Sequence, residues 1–114
     1  MYKIIRSEKE AREYINAIGK MLKLFKMSEK FGVDNNLSNM QLKKVIDNID
    51  KDEEYAGNSL KGKILREYIL GEKSALLLAE EENYSIAHIY GTKQKILKEI
   101  AALVFEVIII WRAF

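Results

Sequence analysis

The stretch that decides the fold covers residues 74–100 and reads SALLLAEEENYSIAHIYGTKQKILKEI. Serine is a favoured residue at a helix start because its hydroxyl accepts a hydrogen bond from an otherwise unpaired backbone amide. Ser74 and Ser85 therefore predict two helix starts, the first helix running through Glu82 and the second continuing past the quoted stretch. Asn83 lies between them and is one of the few non-glycine residues that enters the left-handed region readily. The stretch predicts two helices joined by a tight turn.

The side chains that such a helix pair needs for close packing are also present. The first helix requires a small residue where the two helices cross, and the second requires a branched apolar residue that points inward. Ala79, preceded by Leu78, meets the first requirement, and Ile89 meets the second. Two short helices in this arrangement form a helix-turn-helix, whose second helix enters the major groove of DNA. The pattern therefore indicates a C-terminal helix-turn-helix.

Helical signals also cover the N-terminal half. Residues 7–10 and 38–41 have the pattern of capping boxes, and each is followed by apolar residues at helical spacing. Gly32 is placed to end the first helix in the left-handed conformation, and residues 34–36 supply turn-forming side chains. Two helices are therefore expected before residue 50.

A third helix and the apolar tail complete the predicted elements. The third helix is expected to begin in the acidic run 47–54 and to end at Gly71, although Gly57 and Gly62 each cost about 1 kcal/mol relative to alanine. Residues 103–111 are apolar nearly all round and follow a helical period, so we predict that they continue the last helix.

The predicted fold class is all-α, a four- to five-helix bundle with a C-terminal helix-turn-helix. Residues 1–50 form an N-terminal helical part, and residues 51–114 form the helix-turn-helix unit with an apolar C-terminal helix. A chain of 114 residues is long enough for one domain, so we expect one compact unit overall.

Composition favours binding over catalysis. The chain has no cysteine and a single histidine, His88, so it lacks a thiolate site, a disulfide framework and a histidine cluster. We find no nucleophile with an acid–base partner at recognisable spacing, and we expect no enzyme activity, no catalytic residue, no metal site and no cofactor. The absence of cysteine and of an apolar run long enough for a membrane span predicts a cytoplasmic protein that does not contact membranes.

Two segments resemble known families. Residues 68–85, YILGEKSALLLAEEENYS, look like the helix-turn-helix of sigma-70 region 4, and residues 89–101, IYGTKQKILKEIA, are similar to the helix end in the ArpU and RinA families of phage transcriptional regulators. Those families are small helical proteins with the motif near the C-terminus. The resemblance covers roughly residues 55–105. It implies a DNA-binding transcriptional regulator encoded by a phage or prophage, with double-stranded DNA and RNA polymerase as partners.

Polar side chains around the start of the last helix are the expected DNA contacts. They are Ser85, His88, Tyr90, Lys93, Gln94 and Lys95. The amide of Gln94 can make a bidentate pair with adenine, whereas Lys93 and Lys95 are expected to neutralise phosphates. For His88, an ordinary surface position is the competing interpretation.

Two features leave more than one interpretation open. Four lysines recur at helical spacing on the first helix and either track phosphates or form a solvated face; they are Lys20, Lys23, Lys26 and Lys30. The apolar tail at 103–111 either completes the core against the first helix or forms a homodimer interface.

The alternative function is a helical protein–protein interaction module, such as a phage-encoded inhibitor or adaptor. It would use the same fold without specific DNA binding. Ile86 and Ala87 favour this alternative because they place apolar groups where DNA readers present polar ones. The acidic residues 80–82 and the net charge of +2 favour it as well, since both weaken attraction to phosphates.

Overall fold

Helices make up most of the protein, as the all-α prediction requires. The computed structural model describes residues 2–32 and 37–110. In this part of the chain the α-helices are α1 (Glu8–Phe31), α2 (Leu37–Asp50), α3 (Leu60–Lys63), α4 (Ala75–Glu82) and α5 (Ile86–Phe105). A 3₁₀ turn covers Glu53–Tyr55, a π-helical segment at Ile64–Ile69 continues α3, and the strands are β1 (Lys3–Ile5) and β2 (Val107–Ile109).

The predicted signals at the two ends of α1 are confirmed. The Ser7 hydroxyl accepts a hydrogen bond of 3.2 Å from the backbone amide of Glu10. At the other end Gly32 has a φ of 62°, which is the left-handed conformation that ends a helix. The turn predicted at 34–36 lies outside the described residues. Helix α2 begins at Leu37, one residue before the predicted capping position.

The predicted start of the third helix is wrong. No helix runs on from the acidic segment 47–54; instead α3 begins at Leu60, and the Ser59 hydroxyl caps it by accepting from the Gly62 amide at 3.1 Å. Gly57 has a φ of 58°, a conformation that ends helical geometry at this point. The helix therefore starts only after the turn that Gly57 forms.

The prediction of a continuous helix through residues 103–111 is also wrong. Helix α5 ends at Phe105, Glu106 takes a left-handed φ of 54°, and β2 follows. Strand β2 pairs in parallel with β1, with Lys3 opposite Val107. The β-branched residues of the tail suit an extended chain, and β1 supplies the hydrogen-bonding partner that the local sequence does not contain.

Both halves of the chain contribute to one hydrophobic core. Ile18 and Leu22 of α1 share a buried cluster with Ile96 and Ile100 of α5. A smaller cluster joins Val107 to β1 and to the start of α1, so this part of the tail packs internally. No helix in the described part of the chain is long and apolar enough to cross a membrane.

Candidate nucleic-acid interface

The connection between α4 and α5 has the predicted local geometry. Asn83 has a φ of 61° and a ψ of 41°, which is the left-handed conformation. The Ser74 hydroxyl accepts from the Leu77 amide at 3.1 Å, and the Ser85 hydroxyl accepts from the His88 amide at 3.1 Å. The predictions for the turn and for both helix caps are therefore confirmed.

The predicted packing positions of this helix pair are buried. Leu78 and Ile89 are 0 % exposed, and Ala79 is 5 % exposed. Thr92 is buried one turn after Ile89, so the inward face of α5 continues to pack against the protein beyond its first turn. This packing fixes the direction in which the rest of α5 faces solvent.

The first turn of α5 is exposed to solvent. Residues 83–88 are all exposed, and Tyr90 is exposed beyond the buried Ile89. The rings of Tyr84 and His88 stack with their centroids 4.6 Å apart. An exposed first turn that carries a stacked aromatic pair is a surface on which another molecule can dock.

The predicted contact residues do not all share one face. Ser85, His88, Tyr90 and Lys95 are exposed, whereas Lys93 and Gln94 are partly buried. Successive residues of an α-helix turn by about 100°, so Lys95 lies about 20° from His88 around α5, and Lys93 lies about 160° from Lys95. Lys93 therefore belongs to the opposite side of the helix, and so does the exposed Tyr90, which lies about 160° from His88 by the same count.

The surroundings of Lys93 and Gln94 explain their separation from the exposed face. The Lys93 ammonium lies 3.4 Å from the Tyr68 hydroxyl and 4.8 Å from the centroid of the Tyr68 ring. The Gln94 Oε1 is buried and has no hydrogen-bond partner among the described residues. Lys93 and Gln94 therefore do not face outward beside His88, as a contact with a base or a phosphate there would require.

The acidic end of α4 is largely neutralised. Glu81 Oε2 lies 2.7 Å from Lys73 Nζ, and Glu82 Oε1 lies 2.5 Å from Lys63 Nζ. Lys73 also contacts Glu67 at 2.6 Å. The carboxylates of Glu67 and Glu81 raise the pKa of Lys73, chiefly through the hydrogen bond to Glu67. The charge that weakened the case for a nucleic-acid partner is thus reduced at two of the three glutamates.

Two features of this surface were missed by sequence reasoning. Tyr84 lies just before the cap residue Ser85, and its ring stacks on His88 in the first turn of α5; the tendency of a residue before a helix cap to pack on the first turn could have predicted the pair. The second feature is Gly91. A Cβ at position 91 would meet nothing within 4 Å, so the space beside Gly91, between His88 and Lys95 along the helix, is open.

Within residues 2–32 and 37–110, no three histidine, aspartate or glutamate side chains lie together in a way that could hold a metal ion. No protein-family model, curated protein or solved structure matches this chain.

Proposed function

We propose that the protein is a DNA-binding transcriptional regulator in which α4 and α5 form a helix-turn-helix and α5 enters the major groove. The observation that carries this proposal is the first turn of α5: residues 83–88 are all exposed, while the buried Ile89 anchors the helix. Recognition helices contact base edges with their N-terminal residues, and this requires that the first turn be free of the protein's own core.

The exposed stripe of α5 supplies the contacts. His88 and Lys95 lie on one side of the helix, with Gly91 between them allowing close approach of a DNA backbone. In this arrangement Lys95 neutralises a phosphate, and Ser85 and His88 lie nearest the base edges. Lys93 and Gln94, which the sequence suggested as contacts, have no direct part in this arrangement.

The wider biological role comes from the resemblance to sigma-70 region 4 and to the ArpU and RinA families. It supports a phage or prophage regulator that works with RNA polymerase, in the cytoplasm. A homodimer would let two copies read paired half-sites. The exposed side chains of Leu103, Ile108 and Ile110 offer apolar surface for such a contact.

The test is selection of bound duplexes from a random pool by the full chain, followed by gel-shift titration at two salt concentrations. We expect enrichment of a defined sequence. Lys95→Ala should weaken binding to all duplexes and reduce the salt slope by about 0.9, the contribution of one phosphate contact. His88→Ala should mainly relax sequence preference. Lys51→Ala, an exposed lysine far along the chain from α5, is the matched control and should leave both quantities unchanged.

The second candidate is a protein-interaction module, and a specific observation favours it. Several large apolar side chains of the same helix pair are exposed, with Ile86 at 40 % and Tyr90 at 47 %. Contiguous apolar surface of this kind is typical of protein contact sites. If no duplex is bound at low salt and no sequence is enriched, the DNA proposal is wrong and this alternative replaces it.

A further inference from the structure

A small basic pocket lies on the opposite side of α5 from the exposed stripe. It lies between α1, the π-helical segment after α3 and α5, is partly open to solvent, and has a volume of about 230 Å³. The pocket is lined by Gly19, Leu22, Lys23, Lys26, Tyr68, Ile69, Lys93 and Leu97. Three of these residues are lysines and none is acidic, although the chain as a whole carries a net charge of only +2.

The positive charge of the pocket is only partly compensated by the protein. Lys26 donates a hydrogen bond to the carbonyl of Gly71, and its ammonium lies 3.7 Å from a carboxylate oxygen of the largely exposed Glu72. Lys93 contacts the neutral hydroxyl and ring of Tyr68. Neither Lys23 nor Lys93 forms an ion pair within the described residues. A concave site with several cations and apolar walls concentrates positive potential, and this favours an anion inside it.

Gly19 adds an observation that is independent of charge. It lies in the middle of α1, four residues before Lys23 and seven before Lys26, so the three positions follow one stripe of the helix. Glycine weakens a helix interior relative to alanine. A Cβ at position 19 would meet no protein atom within 4 Å, so packing does not require glycine here. The missing side chain instead leaves room in the pocket.

We propose that this pocket binds the phosphate group of a small phosphorylated molecule. Lysine ammonium groups bind phosphate as point charges, and the Tyr68 hydroxyl can donate a further hydrogen bond. Leu22, Ile69 and Leu97 form the apolar walls and strengthen these contacts by excluding water. A volume of about 230 Å³ is smaller than the roughly 300–1,000 Å³ of pockets that enclose drug-sized ligands, so the site suits a compact anion.

This site is separate from the proposed DNA surface, because Lys93 and Lys95 point to opposite sides of α5. Lys23 and Lys26 of the lysine stripe on α1 thus line the same pocket as Lys93, which the sequence alone did not predict. Lys20 and Lys30 do not line the pocket.

The experiment is calorimetric titration of the full chain with inorganic phosphate at low ionic strength, together with thermal denaturation in phosphate and in matched chloride. We expect saturable phosphate binding and a higher Tm in phosphate. Lys23→Ala and Lys93→Ala should each weaken the affinity at least tenfold. Lys20→Ala, which removes an exposed lysine of α1 outside the pocket, should change the affinity less than twofold.

Gly19→Ala separates a binding role from a structural one. The added methyl group should stabilise α1 and raise the Tm of the ligand-free protein, yet weaken phosphate binding because it occupies the pocket. Lys26 is left unchanged because its hydrogen bond to Gly71 also supports the fold.

Three outcomes would overturn the proposal. The first is the absence of saturable phosphate binding, and the second is equal affinity in the Lys93→Ala and Lys20→Ala variants. The third is a loss of duplex binding in Lys23→Ala and Lys93→Ala without any binding of free phosphate, which would assign the pocket to the DNA backbone. A failure to bind DNA with intact phosphate binding would refute only the proposed regulator function.

Discussion

Replacing Gly62 by alanine should destabilise the protein, although alanine is the better helix former. Gly62 is buried in α3, and a Cβ there would lie 2.6 Å from Arg66 Nη2, 2.9 Å from Ser59 Oγ and closer still to the Tyr55 carbonyl oxygen. The substitution gains about 1 kcal/mol in helix propensity. The outcome therefore depends on whether these neighbours can move away.

The neighbours of Gly62 are held by hydrogen bonds. The Arg66 guanidinium donates to the Tyr55 carbonyl at 2.8 Å, to the Gly57 carbonyl at 2.7 Å and to Asp50 at 2.8 Å. Overpacking a tight site costs about 1–3 kcal/mol, and each hydrogen bond that is lost costs about 1 kcal/mol. If the Arg66 hydrogen bonds to the Tyr55 and Gly57 carbonyls are both lost, the propensity gain of about 1 kcal/mol leaves a net decrease of about 2–4 kcal/mol in the free energy of unfolding.

Urea denaturation followed by circular dichroism measures this change. With a slope of about 2 kcal/mol per molar urea, the midpoint should fall by about 1–2 M. Gly91→Ala is the matched control, because a Cβ there meets nothing within 4 Å and the free energy of unfolding should rise by up to about 1 kcal/mol. If Gly62→Ala is as stable as Gly91→Ala, the close packing inferred around Gly62 is wrong.

Three further predictions concern the turn, the buried tyrosine and an acidic side chain. Asn83→Ala should lower the free energy of unfolding by about 1 kcal/mol, and Asn83→Gly should not, because a left-handed φ of 61° is costly for alanine; urea midpoints of the two variants test this. Tyr55 is buried and donates a hydrogen bond to Glu99, and burial followed by that bond raises the pKa of the Tyr55 phenol. The neutral phenol thus stabilises the fold below the ordinary tyrosine pKa of about 10, and this stabilisation is lost as the pH rises above that value. Tyr55→Phe should be about 1–2 kcal/mol less stable than the parent protein at pH 7, but its free energy of unfolding should fall by less between pH 9 and pH 11. The hydrogen bond from Lys73 lowers the pKa of Glu67. The ionised Glu67 therefore stabilises the fold above the pKa of the unfolded state, and this stabilisation is lost as the pH falls through the pKa of the folded state. Glu67→Gln should show a smaller decrease in Tm between pH 6 and pH 3 than the parent protein, and an equal decrease would contradict the assignment.

The local part of the fold could be predicted because it depends on neighbouring residues. Ser74 and Ser85 cap their helices through hydrogen bonds to amides three residues away, and Asn83 forms the turn through its own backbone conformation. The burial of Ile89 follows from the period of the helix. These interactions lie within one or two turns of chain, so the sequence contains all the partners.

The remaining features depend on partners that are distant in the sequence. Glu106 leaves the helix because β1, more than 90 residues earlier, supplies a strand for Val107–Ile109. The cost of alanine at position 62 is set by the carbonyl of Tyr55, and the direction of Lys93 is set by Tyr68 and α1. The amino-acid sequence by itself therefore determined α1, α4 and the start of α5, together with their caps and the left-handed turn at Asn83. Only the tertiary structure decided that the tail is a strand and that Lys93 faces a pocket with Lys23 and Lys26, because long-range packing selects among conformations and orientations that local preferences leave nearly equal.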